Sequence, residues 1–370
     1  MRLDFITWRE STLRSRGPQV SPGTAPGPPK RVTLADVARR AAVSQTTASF
    51  VLSGRREEMR ISAQVETRVL LAVKETGYRP NILSRSLRTG ATQTVGLVSD
   101  TVATTPYAGH LVWGALDAAR ERGRLLLIAE TEGDRDLEEQ IIEMMRDRRV
   151  EGIILASMYT RWAAIPKSLL DGPSVLLNAL PAKPCAIASV VPDEAGAGRT
   201  AARTLLEAGH RDGIYVIGTG ARPQQIPKGV VAAAERLRGI REVLEESGVP
   251  LAGGIMIKDW QPGAGKEAMQ RILTRRIEPK AVVCFNDRLA FGVYQALEDA
   301  GKKVAQDVSV ISFDDEPVAS WLRPALTSIA LPHYELGRKA VEVLFDGDHE
   351  RSGEGEVHRL PMPIRVRASV

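Results

Sequence analysis

Residues 44–47 read Ser-Gln-Thr-Thr and are followed by Ala48, Ser49, Phe50, Val51 and Leu52. Placed on a helix that begins after Ser44, this stretch turns Ala48, Val51 and Leu52 to one side and Gln45, Thr46, Ser49 and Phe50 to the other. The second side carries recognition chemistry. Glutamine can bond two adjacent groups on an adenine edge, and threonine can serve several bases or touch a thymine methyl. The free N–H groups of the same helix end suit a phosphate.

Chemistry of the catalytic kind is hard to assemble from the rest. "GTGARP" at 218–223 begins like a dinucleotide loop but has Pro223 at the third glycine position. "QPGAGKEAM" contains Gly265-Lys266, but Glu267 follows where a phosphate loop needs Ser or Thr. Both read as loop and helix-start segments. No GxSxG or HExxH is present, and the histidines His110, His210, His333, His349 and His358 are scattered, with His210 expected to end a helix. Cys185 and Cys284 are too far apart for a CxxC metal site and read as buried thiols of a reducing compartment. The reading is therefore of no enzyme, no metal and no cofactor.

The elements that position the polar run form a small helical head. Thr33 and Asp36 fit a capping box, with Leu34, Val37 and Ala38 as an inward stripe. Ala41-Ala42-Val43 is the turn, Ser44 the next cap, and a third helix starts at Ser62 and runs through Val65, Val69 and Val73 to Gly77-Tyr78. Two short helices joined by a tight turn, the second exposing polar side chains in its first turn, fit docking in a DNA major groove. A purely structural helical subdomain is the plain alternative; Arg31, Arg39, Arg40, Arg55 and Arg56 weigh against it.

Charge agrees with that placement. Residues 1–90 hold 16 Lys/Arg against 7 Asp/Glu, whereas the remainder holds 34 against 38. A basic head on a mildly acidic body is the footprint of a nucleic-acid-binding segment, although charge alone fits a solvated basic tail equally well. Residues 17–30, "GPQVSPGTAPGPPK", cannot bury a face, so 1–30 are expected to be a disordered tail. No apolar run of about 18 residues and no secretory h-region is present, which points to a cytoplasmic chain without a membrane span.

From residue 94 onward, apolar runs alternate with amphipathic stretches: "TVGLVSD", "YAGHLVWGALDAARERG", "LLLIAE", "DLEEQIIEMMRDRRV", "GIILAS", then "GIYVIG", "AAAERLRGIREVLEESG", "AVVCF", "DRLAFGVYQALEDAG" and "VSVISF". Such alternation predicts parallel sheets covered on both faces, and the number of strands predicts two α/β lobes.

The segment "VTLADVARRAAVSQTTASFVLSG…ISAQVETRVLLAVKETGYRPNILSRSLRTGATQTVGLV" strongly resembles the lactose-repressor (LacI/GalR) family of bacterial transcription regulators, a likeness that extends from residue 31 to about 370. The resemblance implies an all-α helix-turn-helix head over 31–80, a hinge helix over 81–92, and a periplasmic-binding-protein-like α/β body over 93–370. One lobe of that body would span about 93–191 and 333–360, the other about 192–331 and 361–370. It also implies a homodimer on a near-palindromic, double-stranded operator. The DNA-binding residues are then Thr33, Ser44, Gln45, Thr46, Thr47, Ser49, Phe50, Arg55 and Tyr78 in the head. In the hinge they are Asn81, Ser84, Arg85, Leu87 and Arg88, with Leu87 as an apolar wedge in the minor groove. Chain and family differ at Ala42, where glycine is usual; at Phe50, where arginine is common; in the longer loop "SGRREEMRI"; and at Ser84, where alanine is frequent. Phe50 is expected to pack on a thymine methyl or a sugar.

In the body the resemblance assigns effector binding to Tyr107, Asn178, Arg236, Trp260, Asn286 and Asp314, with Asp287 read instead as a helix cap. Arginine, asparagine, aspartate and tryptophan together suit a carbohydrate, and Leu331 stands where many members carry glutamine. After "IRVRASV" no leucine heptad follows, so a dimer is expected rather than a tetramer. The reading is a repressor released by a small sugar. Its alternatives are the same fold with a corepressor, purine or other metabolite, that tightens DNA binding, or a sugar-binding protein that does not bind DNA.

Overall fold

The structure, a computed structural model, describes residues 32–78, 92–105, 108–226, 229–346 and 355–370. The tail expected over 1–30, the hinge residues Asn81, Ser84, Arg85, Leu87 and Arg88, and Tyr107 lie outside the described residues. The chain divides into two compact units, 1–85 and 86–370.

In the first unit the described helices are α1 (Leu34–Arg40), α2 (Gln45–Leu52) and α3 (Ala63–Thr76). Each starts where a side-chain oxygen satisfies a free backbone N–H. Thr33 and Asp36 bond reciprocally, Ser44 Oγ accepts from the Thr47 N–H at 3.0 Å, and Ser62 Oγ accepts from the Val65 N–H at 3.4 Å. Between α1 and α2 the chain turns through Ala42 at φ 51°, and the Val43 N–H closes onto the Ala38 carbonyl at 3.0 Å. That left-handed position accepts glycine freely and costs alanine about 1 kcal/mol. Val37, Ala38, Ala41, Ala48, Val51, Val69 and Ala72 form the core, so the apolar side of α2 is the one the sequence indicates.

The second unit opens with β1 (Thr94–Ser99), α4 (Gly109–Glu121), β2 (Leu125–Glu130), α5 (Arg135–Asp147), β3 (Gly152–Ala163), β4 (Ser174–Pro181) and β5 (Ala188–Pro192). It continues with α6 (Glu194–Glu207), β6 (Ile214–Gly218), α7 (Val231–Glu246), β7 (Leu251–Met256), α8 (Pro262–Leu273), β8 (Ala281–Cys284), α9 (Asp287–Asp299), β9 (Ser309–Asp314), α10 (Pro317–Trp321) and β10 (Thr327–Ala330). Last come α11 (His333–Asp346), β11 (Val357–Leu360) and β12 (Ile364–Arg365).

Two six-stranded sheets result, ordered β11-β5-β4-β3-β1-β2 and β12-β10-β9-β8-β6-β7. The first is parallel throughout; the second is parallel except for the antiparallel edge strand β12. Near-continuous burial along β1, β4, β6 and β8 fits strands covered on both faces. The chain passes between the sheets after β5, after β10 and after β11, so three connections join the lobes.

Close helix contacts then fix side chains at the junction. A Cβ on Gly198 of α6 would lie 2.1 Å from the Arg236 carbonyl, and one on Gly239 of α7 would lie 2.0 Å from the Ala195 carbonyl. Only the missing side chains let α6 and α7 touch backbone to backbone, which brings Glu194 beside Arg236. Both cysteines are free. Cys284 is buried as expected, but Cys185 is only half-buried, because it lies in the loop before β5 rather than in a strand.

Candidate functional site

The head presents the α2 surface first. Gln45 and Thr46 are exposed, and Ser49 and Phe50 are half-buried one turn further along the same side. Ser44 and Thr47 share a 2.8 Å hydroxyl contact in addition to the cap, so these two organise the helix start. The Thr33 hydroxyl donates to Asp36 Oδ2 at 2.7 Å within its own capping box. Tyr78 packs against the head core. Arg55 lies with its guanidinium carbon 5.2 Å from the centre of the Phe50 ring and forms a two-point ion pair with Glu58.

In the body a cavity of about 760 Å³ opens between the lobes. Met158, Tyr159 and Thr160 of β3 and Asn178 of β4 line it from the first sheet; Trp260, Asn286 and Asp314–Glu316 line it from the second. The structure thus brings Asn178, Arg236, Trp260, Asn286 and Asp314 together.

Arg236 is the most constrained of these. Its Nε donates to Glu194 Oε2 at 2.6 Å, its Nη2 to Asp314 Oδ1 at 3.4 Å, and its Nη1 to the Phe285 carbonyl, while its face lies 4.5 Å over Phe313. Burial alone would lower the guanidinium's pKa, but Glu194 and Asp314 raise it on balance, so the group is held charged. Asn178 has φ 53°, is 3% exposed, and its Oδ1 has no hydrogen-bond partner among the described residues. Asn178 thus lines the cavity with an amide oxygen whose acceptor valence is unused by the described residues.

Asn286, not Asp287, caps α9. Its φ of −156° and ψ of 170° suit a cap, and its Oδ1 accepts from the Leu289 N–H at 2.8 Å. The Asn286 Nδ2 donates to the Trp260 carbonyl at 3.1 Å, leaving one N–H and one lone pair for a ligand. Asp287, expected as the cap, is instead fully buried one residue inside the helix. It accepts from the hydroxyls of Ser312 and Ser328 and from the Glu316 N–H, tying down the loop that carries Asp314 and Asp315, both at positive φ. Burial, helped by the Asp314 charge, pushes the Asp287 carboxyl up to about 8, and the same two causes push Glu316 up to about 7. Trp260 donates its Nε1–H to the Ile257 carbonyl at 3.1 Å and meets Phe285 edge-on.

The cavity walls are balanced in charge. Lys258, Arg236, Arg288, Arg365 and Arg367 line it together with Glu194, Asp314, Asp315, Glu316 and Glu335. Arg367 pairs with Asp315 at 2.7 Å and Arg288 with Glu316 at 3.2 Å. Glu194, Asp315 and Arg367 escaped the sequence reading. His333 also lines the cavity, and burial lowers its imidazole's pKa. Among the described residues no group of three or more His, Cys, Asp or Glu could hold a metal ion, and no helix is long and apolar enough to cross a membrane.

A capped helix-turn-helix with a polar outer face, followed by two parallel α/β lobes around a ligand-sized cleft, defines a ligand-responsive DNA-binding regulator. Comparison with known proteins agrees. The model for bacterial regulatory proteins of the lacI family matches residues 33–81, and that for a periplasmic binding protein-like domain matches 202–370. The chain is 34% identical over 311 residues to the HTH-type transcriptional regulator AscG of Escherichia coli (strain K12), covering 82% of this chain and 88% of that protein. It is 31% identical over 335 residues to the ribose operon repressor of the same strain, covering 90% and 94%. Its fold matches the lac repressor dimer bound to operator and the anti-inducer ONPF with a TM-score of 0.76 at 23% identity, over 92% of this chain and 99% of that one. The complex of the regulator CelR with cellobiose matches with a TM-score of 0.63 at 28% identity, over 92% and 100%. The chain belongs to the lacI family of bacterial regulatory proteins and is a DNA-binding transcriptional regulator.

Proposed function

We propose that this regulator is a cytoplasmic repressor that binds a near-palindromic operator as a homodimer and is released by a small, uncharged sugar. The observation that carries the effector class is the cleft. The cleft's four arginines, Arg236, Arg288, Arg365 and Arg367, each pair with a carboxylate, so an anionic ligand that took one of them would have to break an ion pair, which is costly where water is excluded. The remaining cation, Lys258, is exposed. A polyol asks only for hydrogen bonds. The unpartnered Asn178 oxygen, the Arg236–Asp314 pair and the remaining valences of Asn286 offer acceptors and donors at several points, and Trp260 offers an apolar wall. Tyr107 would add a contact from the first lobe. Relatives named for a ribose operon and for a cellobiose complex support the same class.

In this reading Gln45, Thr46 and Ser49 meet base edges, Ser44 and Thr47 organise the start of the helix that carries them, Thr33 caps α1, and Tyr78 packs against the head core. Asn81, Ser84, Arg85, Leu87 and Arg88 enter or flank the minor groove. Sugar binding shifts the lobes and lowers operator affinity; differential affinity of this kind amounts to about 1–3 kcal/mol. Calorimetric titration of the full chain with a panel of neutral mono- and disaccharides, sugar phosphates, uronic acids and purines tests the effector class. Saturable binding of a neutral sugar is expected. Binding confined to the anionic sugars or to purines would overturn it.

A further inference from the structure

We propose that Arg55 and Phe50 act as one base-reading unit, in which the Phe50 ring aims the Arg55 fork at a guanine edge and Glu58 holds that fork until the guanine takes its place. The proposal rests on the DNA-binding role of the first unit.

The argument starts from the end of α2. Ser53 closes the helix, Gly54 follows at φ 71°, and the Arg55 N–H bonds back to the Phe50 carbonyl at 3.0 Å. This is the six-to-one helix stop, in which the side chain after the left-handed residue folds against the side chain at the start of the last turn. Here those two side chains are arginine and phenylalanine. The backbone therefore dictates the contact, and it is made by a guanidinium 5.2 Å from the ring centre.

Phe50 stands one helical turn after Thr46, on the side of α2 that exposes Gln45 and Thr46. A cation held over its ring sits at the edge of that side rather than among the helix's core contacts. The fork is also set in the right form. Its Nε and Nη2 edge already meets two coplanar oxygens, those of Glu58, with Nε 2.7 Å from Oε2. Guanine offers O6 and N7 as a matching pair of acceptors.

Glu58 is the second half of the device. Its carboxylate is exposed, so the pair breaks at little cost, and phosphates approaching the head repel it. The fork leaves Glu58 only for a base edge that offers it two matching acceptors, and on other bases it stays on the acid.

The test uses the full-length chain. Operators are selected from random duplexes with the unmodified protein, and affinities are then measured on the selected operator and on copies substituted at each symmetric pair of positions. The expected result is a guanine at one such pair that Arg55→Lys no longer distinguishes, losing roughly 10- to 100-fold on the selected operator alone. Phe50→Leu, which keeps an apolar side chain against the head, is expected to lose part of the same preference without removing any charge. Glu58→Gln is expected to tighten binding to the selected operator more than to the substituted copies, because there the fork no longer has to leave an acid. If Arg55→Lys leaves every ratio unchanged while Arg55→Ala weakens all duplexes equally and lowers the salt slope by about one, Arg55 is a phosphate contact and the proposal is overturned. Unchanged ratios in Phe50→Leu would overturn the aiming role of the ring. If the unmodified chain selects no sequence at all, the DNA-reading role of the head falls, and the proposal with it.

Discussion

Arg236 and Glu194 meet at 2.6 Å across the contact of α6 with α7, with their side chains 3% and 2% exposed. The pair stands on the cleft wall and is bonded onward to Asp314, so ligand site and fold share one buried ion pair. Removing a single partner strands the other. Arg236→Ala is expected to cost about 3–5 kcal/mol of unfolding free energy, whereas replacing both, as in Glu194→Leu with Arg236→Met, should recover most of it. Urea unfolding at neutral pH measures both. A single-variant loss below about 1 kcal/mol would mean that the remaining carboxylate finds water.

Asn178 separates binding from folding. Its Oδ1 bonds to nothing among the described residues, so its loss removes no internal hydrogen bond. Asn178→Gly, which also suits the φ of 53°, is expected to leave the unfolding midpoint within a few degrees of the parent and to weaken effector binding about 2- to 10-fold. Calorimetry with the bound sugar reads the second number, and undiminished affinity would remove Asn178 from the site.

Asp287 gives the pH dependence. Its folded pKa of about 8 lies above the ordinary 3.8, so the native chain keeps a proton that the unfolded chain releases between those values. Its contribution to stability is complete below about pH 4 and declines as pH rises toward 8. Asp287→Asn stays neutral and can still accept from the Glu316 N–H. The variant's stability relative to the parent should therefore increase from pH 5 to pH 8. Thermal unfolding across that range checks the trend, and a difference that stays flat or reverses would show that Asp287 is ionised in the native protein.

Much of this architecture is legible in the sequence because it rests on local rules. Thr33, Ser44 and Ser62 are side chains that cap helices, and each does so. The alternation of short apolar runs with amphipathic stretches becomes two sheets because parallel strands must be buried on both faces. What escapes sequence reading depends on neighbours in space. Asn286 and Asp287 cap equally well as residue types, and only the backbone angles at 286 decide between them. Glu194 looks like an ordinary first-turn acid; its role appears once Gly198 and Gly239 let two helices touch. The contact of Arg55 with Phe50 depends on Gly54 turning left-handed, a signal present in the sequence but informative only with the helix end fixed.

The central claim, a sugar-released repressor, is tested most directly by operator affinity with and without the sugar that binds the cleft. With labelled selected operator and full-length protein in fluorescence anisotropy, saturating sugar is expected to weaken binding by about 5- to 150-fold. Binding that stays unchanged or tightens under saturating sugar would contradict the account.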